Sequence, residues 1–165
     1  DVKGRKIKQS FSVTNEETPR IIDPRNAFIM TSLLKEVINT GTARKAKSLK
    51  REDIAGKTGT TNELVDAWFA GFNPDMVTIT WMGFDQPQSL GKHESGSRAA
   101  LPIWIDYMRP IIGEYPTKIV ETPDGIIPLR INPKNGMSAN KNEDSIYEYF
   151  YDEFPPSDNA YFLLN

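Results

Sequence analysis

Three strand-like runs between residues 53 and 84 constrain the fold of this chain more than any other feature. They read "DIAGKTGTT" from Asp53, "DAWFAGF" from Asp66 and "MVTITWMGF" from Met76. The second and third are joined through Asn73-Pro74-Asp75, a turn signal, and so predict a β-hairpin. Ahead of them, "IIDPRNAFIMTSLLKEVINTGTA" predicts a helix. Asp23 caps it, Pro24 suits its first turn, and Gly41 sits where a C-terminal glycine belongs. Ala27, Met30, Leu33, Leu34, Val37 and Ile38 recur at three- and four-residue spacing, an apolar stripe that places Met30 in the core. Behind the strands, "SRAALPIWIDYMRPII" predicts a second helix, starting near Ser97 and disturbed by Pro102. Helix, three antiparallel strands, helix is an α+β layer, an antiparallel sheet flanked by helices. Its size suggests half of a domain.

The composition, 38% hydrophobic and 25% charged over 165 residues, is that of a soluble globular protein. No apolar run approaches 18 residues, which excludes a transmembrane helix, and the first residues lack the apolar core of a signal peptide. They read as a chain already in progress, with an exposed strand or hairpin around Gly4. The absence of cysteine excludes disulfides and thiolate metal sites, and one histidine excludes a multi-histidine centre. No cofactor or metal is expected. His93 would need Ser95 or Ser97 beside it to act as a base, and a plain surface histidine is the simpler reading. Residues 1–51 carry twelve Lys/Arg against five Asp/Glu, with the densest run at Arg44 to Arg51. That run has no aromatic residue for base stacking, so it reads as a solvated loop and no nucleic-acid partner is expected. From Tyr115 onward prolines recur, suggesting two parts: residues 1–114, strands and packing helices, and 115–165, an extended tail. A short strand pair is expected around Pro133-Lys134-Asn135-Gly136, and "NEDSIYEYFYDEF" reads as packed or solvated tail.

Within the first strand, "GKTGTT" (56–61) admits three readings: a phosphate cradle, a lysine–threonine–glycine strand of an acyl-transfer enzyme, or a polar strand with a flexible end. A P-loop needs a glycine five positions before Gly56, where Arg51 stands, and a helix after it, where "GTTNELVDAWF" has no helical period. The acyl-transfer reading gives each residue a task. Lys57 brings a positive charge to a serine nucleophile and a substrate carboxylate, and the Thr58 and Thr60 hydroxyls donate to that carboxylate. Gly59 clears space for a peptide laid along the strand, and the Thr60 N–H supplies half of an oxyanion hole. Strand alternation puts Lys57 and Thr58 on opposite faces, so both serve one site only if the substrate straddles an edge strand.

"GKTGTTNELVDAWFAGFNPDMVTITWMGFD" as a whole resembles the penicillin-binding proteins, specifically the transpeptidase domain of the bifunctional class A enzymes. Asp66, Trp68, Phe69, Gly71, Trp81 and Gly83 match its Asp-x-Trp-Phe-x-Gly and Trp-x-Gly strands. The resemblance extends to Asp23-Pro24-Arg25-Asn26-Ala27, "MTSLL" at 30–34, "AALPIWIDYM" at 99–108 and, more loosely, the tail. It implies the C-terminal part of a penicillin-binding/β-lactamase-like transpeptidase domain. It also implies a serine acyl-enzyme mechanism that cross-links peptidoglycan stem peptides and is inhibited by β-lactams. Lys57, Thr58, Gly59 and Thr60 take the roles above, with Asn62 as a further cleft residue, and Trp68 and Trp81 as core or strand-packing residues. The parent protein would sit on the periplasmic face of the bacterial inner membrane, anchored by an upstream helix and carrying a glycosyltransferase domain.

The family's Ser-x-x-Lys and Ser-x-Asn motifs both precede its Lys-Thr-Gly strand. Here Ser32-Leu33-Leu34-Lys35 lies in the apolar stripe of the first helix, in a segment that matches a non-catalytic family helix. Ser138-Ala139-Asn140-Lys141 and Ser157-Asp158-Asn159 come after the strand. Strings this short recur by chance, and all three are read as coincidences. The nucleophile is expected in an upstream part of the same domain, without which the chain is inactive. The alternative is a non-catalytic module of the same fold that recognises stem peptides or a partner protein.

Overall fold

The computed structural model describes residues 21–139 and 143–156. The hairpin expected around Gly4, Asn140-Lys141 and Ser157-Asp158-Asn159 lie outside the described residues. Helix α1 spans Pro24–Asn39, and Asp23 Oδ1 accepts the Arg25 N–H at 2.8 Å, so the expected cap and first-turn proline both form. Only part of its stripe turns inward. Ile38 is buried, with Val37 packed against the core, whereas Met30 is 51% exposed and Leu33 lies nearly as open. The expectation of a core Met30 is therefore corrected: periodicity finds an apolar face without saying what covers it.

The Arg44–Leu49 segment is a 3-10 helix and not a solvated loop. Ala43 and Ala46 are buried and Leu49 packs against the same core, one residue per three-residue turn, while the lysines between them face water. Arg51 is likewise not solvated. It forms a two-pronged ion pair with buried Asp53 at 2.7 and 2.8 Å and donates to the carbonyls of Ile112, Tyr115 and Pro116.

Strands β1 (Ala55–Thr60), β2 (Ala67–Asn73) and β3 (Met76–Met82) form one antiparallel sheet in that order. The predicted hairpin joins β2 to β3, its turn held by the Asp75 N–H donating to Asn73 Oδ1. Helix α2, Leu101–Ile112, crosses the inner face of this sheet and is preceded by one π-helical turn, Gly96–Ala100. Pro102 does not disturb α2 but sits in its first turn, where its missing N–H costs nothing; the proline inside the helix is Pro110. Trp104 is the centre of the core. Its ring lies edge-on to Phe69 at 5.0 Å, and its Nε1 donates to the Thr78 carbonyl. It also fills the space beside Gly71, where a Cβ would lie 2.6 Å from Cζ2.

The two faces of the sheet differ. Thr78 and Thr80 point to α2, and the Thr80 hydroxyl is within 3.0 Å of the Ala100 carbonyl. The apolar alternates Trp68, Val77, Ile79 and Trp81 point away and are exposed. Trp68 and Trp81 are cross-strand neighbours 6.0 Å apart, strand-packing residues but not core. Strand β3 thus inverts the usual pattern of apolar inside and polar outside.

Beyond α2 the chain runs without regular structure to β4 (Ile126–Ile131), which pairs with β5 (Ile146–Tyr151). The pair expected around 133–136 is thereby corrected. Residues 132–136 form a turn leading only to a single bridge, Ile131 with Ser138, and the true partner of β4 lies further along the chain. This second sheet leans on α1, with Phe28 edge-on to Tyr149 and Arg25 bound to Glu153 while stacked over Tyr151.

Candidate functional site

The Lys57–Thr60 stretch lies within β1, which ends the sheet order: among the described residues no strand pairs with its outer side. A regular strand runs through Gly56-Lys57-Thr58, and the chain leaves it by a tight turn, Asn62–Leu64. The geometry is not that of a loop wrapped over phosphate at a helix N-terminus.

The register divides the candidate residues between faces. Lys57 stands opposite Ala70 and Gly59 opposite Trp68, on the exposed apolar face. Thr58 stands opposite Phe69 and Thr60 opposite Ala67, on the α2 face but towards the open end of the strand. Lys57 is exposed and its Nζ donates to the Thr58 carbonyl at 2.9 Å, which folds the ammonium back over the strand. At Gly59 a Cβ would press on the Trp68 side chain, 3.2 Å from its Cβ, so the close packing of that ring on the strand favours bare backbone there.

Both threonine hydroxyls are held. Thr58 Oγ1 is 2.9 Å from the hydroxyl of Thr42, in the turn after α1. Thr60 Oγ1 accepts the N–H of Gly96, the first residue of the π turn, at 3.0 Å. That turn sits against the strand: a Cβ at Gly96 would lie 2.4 Å from the Trp68 carbonyl oxygen and 2.5 Å from that of Gly59. Asn62 is exposed and makes no side-chain hydrogen bond among the described residues. It opens a strained turn in which Glu63 and Leu64 both take positive φ, near 60°. Thr61 and Asp66 clamp that turn, the Thr61 N–H donating to the Asp66 carbonyl and the Asp66 N–H to Thr61 Oγ1. The Leu64 carbonyl then accepts the Leu90 N–H, fastening the following loop to it.

The decoys lie elsewhere. Ser32 and Lys35 line a groove of about 590 Å3 between α1, residues 119–123 and Tyr149, which shares no residue with 57–62. No hydrogen bond joins Ser32 to Lys35. His93 is exposed, and the Ser95 and Ser97 hydroxyls pair with each other at 2.9 Å. Among the described residues there is no cluster of three or more metal-ligating side chains, and no helix long and apolar enough to cross a membrane. Sequence reasoning missed Thr42 and Gly96. The first is a lone threonine after a helix and the second a loop glycine, and nothing local in the chain points either of them at β1.

No family model matches the chain. It is 48% identical over 162 residues to penicillin-binding protein 1A of Pseudomonas aeruginosa, which covers 96% of the chain and 20% of that protein. It is 50% identical over 128 residues to penicillin-binding protein 1A of Neisseria lactamica, covering 77% of the chain and 16% of that protein. The 2.6 Å crystal structure of penicillin-binding protein 1A from Haemophilus influenzae superposes with a TM-score of 0.77 at 34% identity, over 84% of this chain and 22% of that one. The chain spans about a fifth of the length of these relatives.

Proposed function

Since this chain belongs to the penicillin-binding protein 1A family, as a piece of its transpeptidase region, we propose that it carries the substrate-binding strand of a serine-type D,D-transpeptidase that cross-links peptidoglycan. One observation carries this reading: an exposed ammonium and two anchored hydroxyls flank a sheet-edge strand, Lys57 on one face and Thr58 and Thr60 on the other. A stem peptide laid along that edge meets both faces at once. Its terminal carboxylate takes hydrogen bonds from Thr58 and Thr60, and the Thr60 N–H contributes to the oxyanion hole. Lys57 turns its charge towards the nucleophile, and Asn62 borders the cleft on its strained turn.

The nucleophilic serine and the Ser-x-Asn motif belong to an upstream part of the same domain, which packs on the exposed Trp68, Val77, Ile79 and Trp81 face. An apolar sheet face of this kind is unstable in water and calls for a covering layer. Alone, the chain is inactive. The parent protein is a β-lactam target that works at the periplasmic face of the inner membrane, held there by a membrane anchor and joined to a glycosyltransferase domain.

The test is to label the complete polypeptide with a fluorescent penicillin and map the modified peptide by mass spectrometry. Label on an upstream serine is the expected result. Label on Ser32 overturns the reading of its Ser-x-x-Lys string as coincidence. No label on a folded complete protein leaves the non-catalytic binding module as the surviving function.

A further inference from the structure

We infer that Thr42 is a positioning residue for substrate carboxylate recognition, acting by fixing the direction in which the Thr58 hydroxyl donates its proton. The inference rests on the carboxylate-binding role proposed above for Thr58 and Thr60.

A threonine hydroxyl has one proton to give and two lone pairs to receive. Thr60 Oγ1 accepts from the Gly96 N–H, a group that only donates, so that bond leaves the Thr60 proton available for a ligand. Thr58 is different. Its partner is another hydroxyl, and in the pair Thr42 Oγ1···Thr58 Oγ1 either oxygen can be the donor. In one direction Thr58 spends its proton on Thr42 and has none for a ligand. In the other, Thr42 donates to Thr58, and Thr58 donates onward. A carboxylate only accepts, so it selects the second direction and joins a chain running from Thr42 through Thr58 to the ligand. Each bond in such a chain polarises the next.

The placement of Thr42 suits this task. It follows Gly41, at the end of the helix that lies against β1, between a helix terminus and buried Ala43. The Gly41 N–H donates to the Glu36 carbonyl and the Ala43 N–H to the Val37 carbonyl, so the backbone on both sides of Thr42 is pinned. The Thr42 side chain itself is exposed and buries nothing for the core, and its hydrogen bond to Thr58 is the one it makes among the described residues. The two threonines of β1 are thus fixed from opposite directions, one by a main-chain N–H and the other by a side-chain hydroxyl, and only the second is open to removal by substitution.

The test uses the complete polypeptide and two probes, a fluorescent penicillin with its free carboxylate and the same compound as its methyl ester. The rate of acylation at limiting probe is read for each. In the parent protein the acid reacts faster than the ester. Thr42→Val keeps the shape but removes the hydroxyl, and lowers the acid rate about fivefold, the value of one neutral hydrogen bond, while the ester rate holds. Thr42→Ser restores the preference for the acid. If Thr42→Val slows both probes alike, or neither, Thr42 does not position Thr58 and the inference falls. If the unaltered protein fails to distinguish acid from ester, the carboxylate-binding role itself falls, whatever Thr42 does.

Discussion

Asp66 Oδ1 accepts the indole N–H of Trp81 at 2.9 Å, tying the residue before β2 to a ring near the end of β3. With its main-chain groups Asp66 also holds Thr61, so one residue joins the exposed tryptophan face to the turn that carries Asn62. Asp66→Ala is expected to cost about 1 kcal/mol, because the bond is exposed and its loss is partly made good by water. Asp66→Asn, which keeps an acceptor, is expected to recover most of it. Chemical unfolding followed by tryptophan fluorescence measures both.

Gly71→Ala is expected to destabilise far more than an exposed glycine change would. The new methyl group meets the Trp104 ring, which is fully buried and fixed at its N–H by Thr78. Overpacking of this kind costs roughly 1–3 kcal/mol. Thermal unfolding with an unchanged circular dichroism spectrum before the transition is the check.

The Arg51–Asp53 pair makes a prediction about pH. Burial pushes the Asp53 carboxyl up. The Arg51 hydrogen bonds, the Lys118 N–H and the nearby Arg51 charge together outweigh it and hold the carboxyl below the usual carboxylate range. A group whose folded pKa is depressed contributes stability that is present above its unfolded value and lost as pH falls through the folded one. The stability difference between the parent protein and Asp53→Asn is therefore expected to be full near neutrality and to vanish in acid, below the ordinary aspartate range. Arg51→Met at neutral pH leaves a buried carboxylate without its partner, at a cost of about 3–5 kcal/mol. Unfolding midpoints measured across pH test both statements.

Lys57→Ala is expected to slow acylation of the complete polypeptide by about a hundredfold, the scale for losing a positioned electrostatic group, without altering stability. The side chain is exposed, and among the described residues its one hydrogen bond goes to the neighbouring carbonyl, so it ties no other element in place. Intact melting with lost labelling is the signature.

The outer face of the sheet predicts a difference between the piece and the whole. In the isolated chain Trp68 and Trp81 are expected to be quenched readily by acrylamide, and in the complete polypeptide to be shielded. Equal quenching in both would mean that the upstream part does not pack there.

The hairpin at Asn73, the Asp23 cap and the helix–sheet–helix order were legible because each rests on chemistry within a few neighbouring residues. The 3-10 helix at 44–49 was hidden because its lysines dominate the eye, while the apolar positions 43, 46 and 49 repeat at three and not at three or four. Met30 was misplaced for a different reason. An apolar face facing outwards carries the same pattern as one facing in, and the deciding fact is what else lies beside it. For the candidate site, Lys57 to Thr60 were named from their order along the chain, and they lie together on one edge strand. Thr42 and Gly96 reach β1 only through the fold, across 16 and 36 residues of sequence.

Gly96 bears on how this strand can change over generations. The group that holds the Thr60 hydroxyl is a main-chain N–H, which every residue but proline carries, so no ordinary exchange at position 96 deletes the bond alone. Any exchange instead adds a side chain where two carbonyl oxygens already stand, and is felt by the whole sheet edge. Gradual adjustment of the Thr60 hydroxyl's surroundings therefore has to enter at other positions, where a side chain and not the main chain makes the bond.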